Sequence, residues 1–198
     1  MNLIHLFAIS VLALGFSGRP ATTSKNYIQP ASELVIAKDE ETEEFIPWEN
    51  EQRLDWEDFK CEPKKGTDAV ASTSTTLGIA YQLVDGVLTY DITCNFSKVK
   101  SWGLMKTDYI LAHEQGHFDI TEIYARKLNE ALKNYQFNKK TFKKDINQIY
   151  QNIVREKETF QKSYDEETDH SRNRKLQFDW LDKIQKELEA TDTFALYP

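Results

Sequence analysis

From Thr107 onward apolar residues recur every third or fourth position. Advancing about 100° per residue from His113 gathers Tyr109, Ile110, His113, Gly116, His117, Ile120, Tyr124, Leu128 and Ala131 on one face. This is the period of an amphipathic helix, and Thr107-Asp108 supplies an N-cap with an acid in the first turn. Gln115, Asp119, Glu122 and Arg126 fall on the opposite face, where Glu122 and Arg126 are spaced for a surface ion pair at i, i+4. Two more amphipathic stretches follow, Phe142 to Tyr164 and Arg172 to Glu189. Upstream the pattern differs. Residues 70–96 are rich in Thr, Val, Ile and Tyr, and Asp85-Gly86 separates two such runs, a strong hairpin signal. Strands are expected over Ser72 to Val84 and Val87 to Phe96, giving an α+β fold: a small antiparallel sheet packed against one long helix and the helices after it.

The chain divides into three parts by the same reading. Leu3 to Phe16 is apolar apart from His5, Ser10 and Gly15, and no Asp, Glu, Lys or Arg precedes Arg19. A bilayer takes about 20 apolar residues, so the run is too short to span one comfortably. Small residues at Ala13, Gly15 and Ser17 have the spacing of a signal-peptidase site. Residues 1–18 are therefore expected to be a signal peptide, and the protein periplasmic or extracellular, with no stable membrane insertion once the leader is removed. The leader lacks Lys and Arg, so an uncleaved anchor is the alternative. Residues 19–50 carry Pro20, Pro30 and the acids Asp39, Glu40, Glu41, Glu43 and Glu44, the composition of a flexible linker. The folded domain is expected over 51–198, opening with Leu54, Trp56 and Phe59.

With 198 residues and 40% hydrophobic content, one core of ordinary size is within reach. The formal net charge of -7 excludes a general nucleic-acid binder, which needs a basic footprint. The cluster Lys139, Lys140, Lys143 and Lys144 reads as a solvated helix start. Cys61 and Cys94 suit an oxidising compartment and are expected to form one disulfide, with two free buried thiols or a zinc site as alternatives.

Residue type and spacing specify chemistry at one place, His113-Glu114-Gln115-Gly116-His117. Histidines at i and i+4 share a helix face and are good zinc ligands. The glutamate between them is placed to take a proton from a water acidified by the ion. A catalytic zinc normally has three protein ligands and an open position. Four histidines occur in the chain, and with His5 in the leader, His170 is left to complete the set. Asp119 and Glu122 point about 120° and 180° away from His113 on a continuous helix, and Glu156 and Glu158 are weaker acidic alternatives. In the polar stretch before His170, Tyr164 is a candidate oxyanion donor and Asp165 a candidate partner for a ligand imidazole. Trp102 is expected as a core anchor, and the hairpin edge as a place where an extended peptide adds a strand.

Several separated elements together resemble a known family. They are Leu54-x-Trp56-x-Asp58-Phe59, Ser101-Trp102, His113-Glu114-Gln115-Gly116-His117-Phe118-Asp119 with Thr121-Glu122 and Tyr124-Ala125-Arg126, then Tyr164-Asp165-x-x-Thr168-x-His170, Gln177 and Trp180. The chain is similar over roughly Leu54 to Leu188 to the domain of unknown function 922 family, bacterial proteins described as predicted secreted zinc-dependent proteases. The resemblance implies a zincin-like α+β domain and supports His170 as third ligand; it supplies no substrate beyond a peptide or protein. Two positions depart from the pattern: Cys61 and Ser171 each stand where glycine is expected. The expected function is thus a zinc metallopeptidase, set against a non-catalytic exported protein that zinc only stabilises.

Overall fold

The computed structural model describes residues 44–50 and 52–198; the leader and most of the linker lie outside these. Asp85 and Gly86 both take positive φ, 49° and 83°, as a two-residue type I′ turn requires. They join two long strands, which we label β3 (Thr75–Val84) and β4 (Val87–Ser97), in antiparallel register from Val84↔Val87 to Thr75↔Phe96. The strand expected from Ser72 is interrupted. Ser74 is tied by its N–H to Ser101 Oγ and by its carbonyl to the Ser97 N–H. Ahead of it the short β2 (Ala71–Ser72) pairs instead with β5 (Trp102–Gly103).

A third strand, β1 (Phe45–Pro47), adds to the other edge of β4, in the order β1-β4-β3. Composition assigned these residues to the linker, but Phe45, Ile46 and Trp48 carry enough apolar surface to bind the sheet, and Trp48 Nε1 donates to Asp119 Oδ1 at 2.9 Å. Residues 45–48 thus pack with the sheet and α1.

Three helices complete the fold: α1 (Asp108–Lys133), α2 (Phe142–Glu167) and α3 (Arg174–Ala190). Thr107 caps α1 as expected, its hydroxyl accepting from the Ile110 N–H at 3.3 Å. Asn173 caps α3 in the same way. α1 contacts β3 and β4 as well as α2 and α3, and Ile120, Ile123, Ala125 and Leu128 on it are fully buried. No described helix is long and apolar enough to cross a membrane.

The polar face of α1 corrects the helical projection. Gln115, Asp119, Glu122 and Arg126 are all buried, because the N-terminal segment and the chain's C-terminal end cover them. Gln115 Oε1 accepts from the Leu54 N–H, and Asp119 accepts from Trp48, Gln115 and Arg53. Glu122 accepts from Arg126 Nε at 2.8 Å and from the Tyr197 hydroxyl at 2.6 Å. Arg126 also donates to the Leu188 carbonyl and lies 5.0 Å from the Trp48 ring centroid. Burial pushes the Glu122 carboxyl above the ordinary range, with Tyr197 and Arg126 holding it back.

The expected disulfide is not formed: Cys61 and Cys94 are both free. Cys94 lies on β4 opposite Leu77 and faces the interior, where burial and Glu122 push its thiol well up. Cys61 sits half-exposed with its sulfur against its neighbour's carbonyl, and its N–H is bonded to Ser101.

A buried pair behaves differently from a surface one. Arg126→Ala leaves Glu122 buried without its cation and is expected to lower unfolding stability by about 3–5 kcal/mol in a urea titration. A loss below about 1 kcal/mol, the range of an exposed pair, contradicts the burial described.

Candidate metal centre

The two histidines of the HEQGH segment stand one turn apart on α1, and the side chain that meets them is Asp165 of α2. Its Oδ1 lies 3.2 Å from His113 Nε2 and 3.1 Å from His117 Nε2. The donor atoms of the three residues all fall within 4.8 Å of one another, so His113, His117 and Asp165 could hold a metal ion. Two imidazoles and one carboxylate are a ligand set of the kind that zinc takes in sites with an open position.

Electrostatics couple the three groups. Burial works against ionising Asp165, but hydrogen bonds from both histidines outweigh it and hold the carboxyl well below its usual range. Burial likewise opposes a charge on His117, yet Asp165, Glu114 and Gln161 raise it to about 9. At His113 burial wins and lowers the value. Near neutral pH Asp165 is ionised, His117 protonated and His113 neutral, so the three carry no net charge and a bound ion would take the place of the His117 proton.

Gln161, which the sequence reading did not single out, fixes the second imidazole. Its Oε1 accepts from His117 Nδ1 at 2.5 Å, while its Nε2 donates to the His117 carbonyl at 2.8 Å and lies 3.3 Å from Thr121 Oγ1. With Nδ1 held by Gln161, Nε2 is the nitrogen that faces Asp165 and donates to it here; an outer partner of this kind orients ligand histidines at metal sites. The available signal was periodicity: Gln161 precedes Asp165 by one helical turn.

Tyr164 has a different place from the one expected. It is fully buried beneath the imidazoles, with its ring stacked on His113 at 4.5 Å and its hydroxyl donating to the His113 carbonyl at 3.3 Å. Its surroundings suit packing, since an oxyanion donor must face the cleft. A Cβ built on Gly116 would meet the Tyr164 hydroxyl at 2.6 Å. Glycine here lets α2 approach α1 closely enough for Asp165 to reach both histidines.

Glu114 is nearly buried, borders the cleft, and has no hydrogen-bond partner for Oε2 among the described residues. That carboxylate oxygen, beside the three converging donors, is free to accept a hydrogen bond from a molecule in the cleft.

His170 is not one of the three converging donors. Its side chain is 60% exposed at the cleft rim, with Nδ1 3.7 Å from Asp165 Oδ1. The cause is the backbone: Asp169, His170 and Ser171 all have left-handed φ, of 49°, 50° and 71°. The loop is held by the His170 N–H on the Asp165 carbonyl and by the Tyr109 hydroxyl on the Ser171 carbonyl. Left-handed φ at Ser171 gives a physical reason for the glycine expected there. Asp119 and Glu122 point away from the centre, as projected. Glu158 borders the cleft but pairs with Lys157, and Glu156 lies beside a separate groove.

The cleft over the centre has a volume of about 1020 Å³. Residues 69–75 and the buried Trp102 border it together with the exposed face of α2.

Fold and centre together define an α+β protein with a half-buried His/His/Asp group able to bind a metal. Residues 40–171 match the family described as bacterial protein of unknown function (DUF922), and the chain belongs to that family. The match contains every residue of the centre, and the name under which it matches states no activity. No curated protein and no solved structure matches the chain.

Two substitutions probe this geometry. Gly116→Ala forces α1 and α2 apart, and an overpacked contact of this kind is expected to lower stability by about 1–3 kcal/mol and to weaken zinc binding measured by competition with a chelator. Unchanged zinc affinity contradicts the spacing role. Ser171→Gly relieves left-handed strain and is expected to raise unfolding stability by about 1 kcal/mol; a loss of stability contradicts it.

Proposed function

We propose that the protein is an exported zinc metallopeptidase in which His113, His117 and Asp165 hold the ion and Glu114 is the general base. The observation that carries this reading is the unpartnered Glu114 oxygen beside three converging ligands under an open cleft. Zinc in such a site supplies a Lewis acid for the scissile carbonyl and raises the acidity of water. Glu114 takes the proton of the attacking water and passes it to the leaving amine nitrogen. His170, exposed at the rim next to Asp165, is placed to donate toward the oxygen that becomes negative as the carbonyl is attacked. Backbone of residues 69–75 offers a wall along which an extended peptide lies. The apolar leader from Leu3 to Phe16 supports export.

Gln161 and Tyr164 serve this chemistry indirectly. Gln161 sets the tautomer of His117, and Tyr164 fills the space behind His113 so that its ring cannot turn. Neither borders the reacting atoms as a donor of protons.

Three variants separate the roles. Glu114→Gln is expected to retain one zinc per chain by metal analysis and to lose about 10²-fold or more in kcat on a peptide substrate. Asp165→Ala is expected to lose the metal, whereas His170→Ala keeps it with a reduced kcat. Full activity in Glu114→Gln, or metal loss in His170→Ala with retention in Asp165→Ala, contradicts the assignment.

A further inference from the structure

Lys157 is a cation at the cleft that this mechanism leaves unused. It lies on α2 one turn before Gln161 and two before Asp165, about 12 Å along the helix from the latter at 1.5 Å per residue. The residue is only 7% exposed, yet it borders the cleft. Its one ion-pair partner among the described residues is the neighbouring Glu158, 3.1 Å away, whose side chain is 58% exposed. Lysine is almost never withdrawn this far from water without a firm partner. A mostly solvated carboxylate is a weak one.

An unpartnered polar atom borders the same cleft. Thr73, in the link between β2 and β3, has a buried hydroxyl with no hydrogen-bond partner among the described residues. Buried polar atoms without partners are uncommon and call for an explanation. The ammonium donates only, and the hydroxyl donates as well as accepts. A carboxylate is a ligand that satisfies both.

The charge of the cleft points the same way. Lys64, Lys100, Lys157, Arg172 and Arg174 border it against four carboxylates, whereas the chain as a whole carries -7. The cleft is thus close to neutral and opposes an anion less than the rest of the acidic chain does.

We propose that Lys157 and Thr73 form a subsite for an acidic side chain of the peptide substrate. An extended chain rises about 3.3 Å per residue, so the acid falls about three to four residues from the scissile bond. This inference rests on the peptidase reading for its substrate class, but binding can test it without hydrolysis.

The probe is a set of fluorescently labelled, C-terminally amidated octapeptides of Ala and Gly with one Glu moved through the positions, and the same set with Gln. Binding is read by anisotropy on zinc-loaded Glu114→Gln protein. At one position Glu is expected to bind about tenfold or more tighter than Gln, the range of a charge-assisted hydrogen bond. Lys157→Met in the same background abolishes that preference, Thr73→Val reduces it severalfold, and Lys157→Arg retains it. Circular dichroism establishes that each variant is folded; should Lys157→Met not fold, Thr73→Val and Lys157→Arg decide the matter.

Equal binding of Glu and Gln peptides, or a preference that survives both Lys157→Met and Thr73→Val, overturns the subsite. A Gln peptide with a free C-terminal carboxylate that binds better than any Glu amide overturns the side-chain assignment in favour of the peptide terminus. Glu preference in a protein that cuts no peptide refutes the peptidase and leaves the subsite standing. Cleavage of Glu and Gln peptides with the same kcat/KM refutes the subsite alone.

Discussion

Everything at the centre depends on how closely α2 approaches α1 where Tyr164 crosses Gly116. Any side chain at position 116 would collide with the Tyr164 ring and hydroxyl. With glycine there, Tyr164 stacks under His113 and donates to its carbonyl. Asp165, the next residue on α2, then reaches both imidazoles. One missing Cβ thus brings a carboxylate to two histidines on a helix, a group of three that could hold a metal ion. Consecutive helical residues point about 100° apart, which is why Tyr164 packs behind the imidazoles while its neighbour meets their nitrogens.

The opposite side of α1 fixes that helix in place. Gln115 and Asp119 hold the N-terminal segment through Leu54, Arg53 and Trp48, and Glu122 and Arg126 hold the C-terminal end through Tyr197 and Leu188. Unpaired, these groups would be costly to bury, but each has partners of complementary charge or hydrogen-bonding type. The HEQGH segment therefore does two jobs. His113, Glu114 and His117 face the cleft, while Gln115 anchors the chain behind it.

Much of this was legible in the sequence. The Asp85-Gly86 turn, the Thr107 cap and the helical period around His113 are local signals, and the structure bears each out. The α+β architecture follows from them. What depended on distant partners was not legible. A helical projection gives direction but says nothing of what covers a face, so Glu122 and Arg126 were expected on the surface and are buried. Counting histidines led to His170, because four histidines are few to weigh and 32 acidic residues are many. The left-handed turn over residues 169–171 then sets His170 at the rim and leaves Asp165 inside. Cys61 and Cys94 are separated for the same reason: strand register and burial place Cys94 in the core, and no local pattern reports that.

The central claim is that His113, His117 and Asp165 form an open, three-ligand zinc centre. A crystal structure of the zinc-loaded protein, with the ion located by anomalous scattering at its absorption edge, tests this most directly. The expected result is one zinc bound by a nitrogen of each histidine and a carboxylate oxygen of Asp165, with a further position left to solvent. Zinc held elsewhere, or closed within four protein ligands, contradicts it.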